Sequence, residues 1–166
     1  MGYSDTTVTH FMCLEAGLSS FYGPAVITAF AENVSMHEYT IRGIRKTLFS
    51  REVIGAIPHN TEGWSTELLD WSDENNQNIR RTLNPPTAWN FIGEKQHVCR
   101  GRFIGGCLEV IQFLNSTELW PNLSTWDQAI LFLETSEDGM DPFCRHKIYA
   151  QLGCSRYIKP LKCYFV

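Results

Sequence analysis

The sequence predicts an α/β fold, and three stretches carry that expectation. A helix-forming run starts directly behind Gly2-Tyr3-Ser4-Asp5. A second segment, "VCRGRFIGG", reads as a strand that ends in paired glycines, and "CLEVIQFLN" reads as a helix launched straight from them. The third is the apolar run Ala129-Ile130-Leu131-Phe132-Leu133, the composition of a strand buried on both faces.

Taken in chain order, the first element spans Asp5 to Ala16. Val8, Phe11 and Met12 make one helical face and Gly17 supplies a stop. "LSSFYGPAV" is extended and closes on a Gly-Pro turn. Ser35 and Glu38 have capping-box spacing, with Ile41, Ile44 and Leu48 as the stripe behind them. "EVIGAI" reads as a short strand halted by Pro58. From His59 to Asn90 three tryptophans lie among Asn, Asp, Glu, Ser and Pro, as in an irregular connection, with a short helix expected near "STELLDW". After the Gly-Gly segment and the apolar strand, "ETSEDG" is a turn and "DPFCRHKIYAQLG" has helical character. The last stretch, "CSRYIKPLKCYFV", has weak periodicity.

The bulk numbers narrow the class. Of 166 residues 43% are apolar and 19% charged, a globular balance. The net charge is −4, which offers no electrostatic attraction to nucleic acid or an anionic membrane surface. No apolar run approaches the roughly 20 residues of a spanning helix. The first residues lack the basic and apolar regions of a secretory signal, so a cytoplasmic location is expected. The six cysteines include no CxxC pair and no zinc-finger spacing, so no metal or other cofactor is expected. Their apolar surroundings suit small buried thiols in a reducing compartment.

Candidate chemistry begins at Ser4. A nucleophile elbow needs a strand, a tight turn and a helix whose first N–H groups face a developing oxyanion. Gly2 permits the turn, and the backbone N–H of Asp5 would be the first donor. Read locally, Ser and Asp are equally good helix caps, and no strand is evident before them. Glu134 is the first polar residue after the apolar strand, at the end where open α/β sheets place their sites. It could orient an imidazole, the third role of a Ser-His-acid triad. It could also be a strand-end residue facing solvent. Gly105 and Gly106 offer bare backbone N–H groups to a substrate carboxylate or phosphate, or simply allow tight packing. None of the five histidines is an obvious general base. His10, six residues beyond Ser4 on the helix, is expected to point away from the elbow, and His37 to be exposed.

Together these stretches resemble the serine LD-carboxypeptidase family and its microcin C immunity peptidase branch. "GYSDTT" resembles the nucleophile segment, with "FYGP" behind it. "GRFIGGCLEV" resembles the Gly-Gly strand-to-helix segment, and "ILFLETSE" the strand bearing the triad acid. "MHEYTIRGIRKTLFS", and the "WP…W" of Trp120-Pro121 and Trp126 between the last two stretches, fit the immunity branch. The match runs from Met1 to about Glu137.

The resemblance implies Ser4 as the catalytic serine, Glu134 as the triad glutamate and the Asp5 N–H as an oxyanion donor. It implies part of a parallel-sheet, class I glutamine amidotransferase-like N-terminal domain plus part of a smaller β-rich C-terminal domain. The division would fall as 1–58, nucleophile-bearing, and 59–166, linker and truncated C-terminal domain. The implied reaction is hydrolysis of an amide next to a free carboxylate, in muropeptides or microcin C-like aminoacyl nucleotides, with a homodimeric full-length parent. The family carries roughly a hundred residues before the serine, the size of an α/β half-domain, and its catalytic His lies beyond the glutamate strand. The chain is therefore expected to be a fragment lacking both, with its pattern fading after Gly139 as a shifted reading frame would make it. Three functions stay open: a serine hydrolase, a truncated inactive remnant, or a non-catalytic binding module; without a general base to take the serine proton, the isolated chain is expected to be inactive.

Overall fold

The computed structural model describes residues 1–90, 98–136, 141, 146, 150 and 163–165. It divides into two units, one formed by Met1–Gly23 with Gln96–Val166 and the other by Pro24–Lys95. The expected domain boundary at 58/59 falls inside the second of these.

The first unit is an α/β layer built on a three-stranded parallel sheet in the order β1-β2-β3. Its strands are β1 (Phe103–Cys107), β2 (Ile130–Glu134) and β3 (Cys163–Phe165). The register of β1 on β2 runs from Phe103 opposite Ile130 to Cys107 opposite Glu134, so both strands end at the same edge. Helix α1 (Thr7–Glu15) continues a 3-10 turn at Ser4–Thr6. It stops where expected: Gly17 takes φ +70°, and the Leu18 N–H donates to the Cys13 carbonyl at 2.8 Å.

The core gathers Phe11 of α1, Ile104 of β1, Leu131 and Leu133 of β2, and Leu108, Ile111 and Leu114 of α3 (Leu108–Leu114). Trp126, fully buried, closes it and donates its indole N–H to the Pro121 carbonyl at 3.2 Å. It ends the short helix α4 (Leu123–Trp126), capped by the Asn122 side chain accepting from the Thr125 N–H. Leu131 and Leu133 are buried while Ile130 and Phe132 are partly open. The strand therefore alternates instead of being sealed on both faces.

Gly105 lies where only glycine fits. Its φ is +155°, and a Cβ there would sit 1.7 Å from the Phe132 carbonyl oxygen of the paired strand. The paired glycines fall inside β1, which runs on to Cys107 before α3 begins.

The second unit holds α2 (Glu38–Leu48), a π turn at Val26–Phe30 and a 3-10 turn at Glu74–Asn78. Three local expectations are corrected here. The capping box does not form: α2 starts at Glu38 with His37 at its cap, and the Ser35 hydroxyl instead accepts from the Arg80 guanidinium. "EVIGAI" forms no strand; residues 52–57 are exposed irregular chain, because no neighbour pairs with them. "STELLDW" forms no helix, and Trp64 pairs across an isolated antiparallel bridge with Asn84. The stretch 142–162, where a helix and the weakly periodic tail were expected, lies almost wholly outside the described residues.

Among those residues no helix is long and apolar enough to cross a membrane, and no group of His, Cys, Asp or Glu could hold a metal ion. Cys13 and Cys107 are free thiols, as expected, but Cys99 is disulfide-bonded.

Candidate active site

The site grows from the turn at Ser4. Tyr3 is extended, Gly2 makes a single parallel bridge to Tyr22, and Ser4 takes φ +55° before the chain enters the 3-10 turn and α1. A non-glycine residue in the left-handed region costs on the order of 1–3 kcal/mol and persists only where its surroundings hold it. The strand that the sequence did not reveal is thus present as one bridged residue, and the serine stands on a strained turn between it and a helix. Asp5 occupies the first turn, where backbone N–H groups have no carbonyl ahead of them.

Tyr22 holds this turn. Its hydroxyl oxygen accepts from the Ser4 N–H at 3.0 Å and donates to Glu134 Oε1 at 2.5 Å. Glu134 is the last residue of β2, so 112 residues separate donor and acceptor in the chain. The serine and the glutamate are brought together through this one phenol.

Thr7, fully buried, completes the array. Its Oγ1 accepts from the Cys107 N–H at 3.0 Å and lies 3.2 Å from the Tyr22 hydroxyl. The direction of these bonds follows from chemistry. A carboxylate only accepts, so the Tyr22 proton points to Glu134, and Thr7 donates to the Tyr22 oxygen. Donation therefore runs Cys107 N–H to Thr7 to Tyr22 to Glu134, with the Ser4 N–H joining at Tyr22. Burial first, and the bond to Glu134 second, push the Tyr22 phenol well above its ordinary value. It stays protonated and can keep donating.

Gly106 makes room for this. At φ +144° its missing Cβ would lie 2.7 Å from both Thr7 Oγ1 and Cγ2, and 3.1 Å from Tyr22 Cε2. Of the two openings left by the sequence at Gly105 and Gly106, close packing is the one these distances account for.

A carboxylate bracket lies next to it. Glu109, in the first turn of α3, accepts from the Ser136 N–H at 3.2 Å, the Ser136 hydroxyl at 3.3 Å and the Cys107 thiol at 3.1 Å. Burial opposes its charge, but these bonds hold Glu109 below the usual carboxylate range. Burial, then the bond to Glu109, raises the Cys107 thiol to about 11.

His10 does not point away from the elbow. Its Nε2 lies 3.0 Å from the Gly2 carbonyl and its Nδ1 2.8 Å from the Ser20 hydroxyl. A carbonyl only accepts, so Nε2 carries a proton; the Ser20 hydroxyl can either donate to Nδ1 or accept from it. The ring also packs on Tyr22, with centroids 5.1 Å apart. Helix periodicity alone placed His10 on another face, but the Gly2 strand folds back beside the helix.

In the sequence Tyr22 stands out only as part of an extended run and of "FYGP". An extended Tyr two residues before a Pro carries no local mark of a partner on another strand.

The second unit has its own polar cluster. Glu32, 1% exposed at its side chain, accepts from Arg81 Nε at 3.0 Å and from Arg81 Nη2. His37 Nε2 is 3.7 Å from the same carboxylate, and the ring is only 19% exposed, contrary to the expectation of an open position. Glu62 accepts from the Tyr39 N–H at 3.0 Å and from Arg42 at 2.7 Å.

Comparisons with known proteins agree with one another. Residues 100–162 match the family model described as the LD-carboxypeptidase C-terminal domain. The chain is 30% identical over 138 residues to the microcin C7 self-immunity protein MccF of Escherichia coli, which covers 82% of this chain and 38% of that protein. An MccF-like protein from Streptococcus pneumoniae, solved in complex with AMP, superposes with a TM-score of 0.83 at 26% identity. That match covers 98% of this chain and 50% of the other. MccF in complex with glutamyl sulfamoyl guanosine gives a TM-score of 0.70 at 25% identity, over 98% of this chain and 47% of the other. The chain thus spans about half the length, or less, of the relatives it matches. On its fold and its matched sequence, the chain belongs to the LD-carboxypeptidase/MccF family.

Proposed function

We propose that this chain carries the nucleophile and the acid of a serine LD-carboxypeptidase-type hydrolase. Ser4 is the nucleophile, the Asp5 backbone N–H is an oxyanion donor, and Glu134 orients the imidazole that takes the Ser4 proton. The bond cleaved is an amide next to a free carboxylate. The observation that supports this most is the left-handed Ser4 between a bridged strand residue and a helix, joined through one hydroxyl to the strand-end Glu134.

Chemistry follows from those positions. A serine hydroxyl is a weak nucleophile until a base removes its proton, and the attack creates an oxyanion that helix-start N–H groups stabilise. Tyr22 occupies only one oxygen of Glu134, leaving the other for an imidazole N–H. The Gly105 and Gly106 N–H groups are the candidates for the substrate carboxylate. Between muropeptides and aminoacyl nucleotides, the second class is favoured, because related structures bind AMP and glutamyl sulfamoyl guanosine. The match of 100–162 to a C-terminal domain model supports reading 59–166 as the approach to, and part of, a C-terminal domain behind a nucleophile-bearing 1–58. A glutamine amidotransferase-like parent fold, a homodimeric parent and a cytoplasmic setting belong to the same proposal.

One observation favours a second reading, a ligand-binding form without turnover. Both nitrogens of His10, the imidazole nearest Ser4 in the chain, are already engaged by Gly2 and Ser20. Absence of one triad member typically lowers the rate by about 10⁴–10⁶. The deciding assay measures hydrolysis of an aminoacyl sulfamoyl nucleoside and of an LD-linked muropeptide, with and without added imidazole. Expected is slow turnover that imidazole accelerates and Ser4→Ala abolishes. Equal rates for the chain and Ser4→Ala would overturn the hydrolase reading. Ligand binding with no Ser4-dependent product, even with imidazole, would establish the second.

A further inference from the structure

We infer that Tyr22 is the positioning residue of this site: its hydroxyl clamps the backbone of Ser4 to the carboxylate of Glu134. The inference rests on the hydrolase reading for its meaning, but its geometry stands independently. Two groups from the start of the chain and one from the far end of β2 meet at one oxygen. The Ser4 N–H arrives from the elbow at 3.0 Å, Thr7 Oγ1 from α1 at 3.2 Å and Glu134 Oε1 from β2 at 2.5 Å. The ring is itself held, 5.1 Å from His10 on one side and 5.1 Å edge-on from Phe132 of β2 on another.

Two consequences follow for the reaction. The Ser4 N–H is already spent on Tyr22, so it cannot serve the oxyanion; that duty falls to the next N–H, that of Asp5. Glu134 has one oxygen fixed by a neutral donor, which sets the direction of the other toward an incoming imidazole. A phenol suits this duty because it accepts and donates at one atom. Phenylalanine would preserve the ring contacts and remove all three bonds. The strained φ of Ser4 supplies the reason a clamp is needed: without an acceptor for its N–H, the turn loses the tie that holds it in the left-handed region.

The test uses the full chain and no substrate. Amide exchange at Ser4 is followed by NMR in the chain and in Tyr22→Phe, and the Tyr22 phenol is titrated through its labelled Cζ in the chain and in Glu134→Gln. The expected result is Ser4 exchange about tenfold faster in Tyr22→Phe, the effect of losing one hydrogen bond of ordinary strength. In Glu134→Gln the Tyr22 phenol is expected to ionise at lower pH, because its anionic acceptor is gone. A ring that only fills space would change neither. Unchanged exchange at Ser4, or a Tyr22 titration indifferent to Glu134→Gln, overturns the clamp. Circular dichroism and the dispersion of core methyl signals report whether each variant is folded; if Tyr22→Phe does not fold, the Glu134→Gln titration decides alone. Loss of every Ser4-dependent turnover would count against the hydrolase reading and leave this result standing, so the two failures are separable.

Discussion

Substituting Gly106 by Ala probes the packing beneath the site most directly. The added Cβ would stand 2.7 Å from Thr7 Oγ1 and Cγ2 and 3.1 Å from Tyr22 Cε2, well inside van der Waals contact. Thr7 has no room to retreat: it is fully buried, and its hydroxyl is bonded to the Cys107 N–H. Overpacking of this kind costs about 1–3 kcal/mol. The backbone adds its own cost, because φ +144° is a conformation that L side chains rarely adopt, worth about 1–3 kcal/mol more. The total is about 2–6 kcal/mol, against domain stabilities of about 5–15 kcal/mol.

Two structural units need not unfold together, so the assay must report on this one. Hydrogen exchange of the β1 and β2 amides does so, and 2 kcal/mol corresponds to roughly thirtyfold faster exchange. Gly43→Ala, inside α2, is the control. Nothing lies within 4 Å of its Cβ position, and alanine there should stabilise the helix by about 0.5–1 kcal/mol. If β1 and β2 amides in Gly106→Ala exchange within about threefold of the parent, the close approach of Thr7 to the strand is wrong, and with it the account of the paired glycines as packing positions.

Two further predictions follow from the electrostatics. Arg81→Ala leaves the buried Glu32 carboxylate without its main partner and should cost the second unit about 3 kcal/mol, read by exchange of α2 amides. The hydrogen bond from Arg81 holds the Glu32 carboxyl below its ordinary 4.5. The folded state therefore binds the proton less readily than the unfolded one, so this contribution is complete above about pH 4.5 and is lost as pH falls through the depressed folded value. An acid profile of the second unit that is the same in Glu32→Gln as in the parent would refute the assignment. The buried Cys107 thiol, raised to about 11, should resist iodoacetamide at pH 8 in the folded chain and react at once on unfolding. Rapid alkylation of folded chain at that pH, located to Cys107 by mass spectrometry, would show that the β1–α3 junction is open.

Local signals carried the first unit well. Helix α1 and its Gly17 stop, the strand-to-helix step through Gly105-Gly106, and the strand ending at Glu134 all rest on short-range pattern, and all form. The second unit was poorly legible for the same reason. Ser35 had the spacing of a cap, but the Arg80 guanidinium, 45 residues away, took its hydroxyl. "EVIGAI" had the composition of a strand, but composition cannot supply a neighbour to pair with.

The site divides in the same way. The sequence by itself determined which residues could do the chemistry: a serine behind a glycine at a helix start, and a carboxylate at the end of an apolar strand. Both are recognisable because each depends on a few adjacent residues. Whether Ser4 was a cap or an elbow was not decidable there, since its φ of +55° is held by atoms outside its own segment. Only the tertiary structure supplies the left-handed turn, by bringing Tyr22 beside Gly2 and setting its hydroxyl between the Ser4 N–H and Glu134. A hydrogen bond across 112 residues has no periodicity, and it exists only once the sheet has placed both its ends.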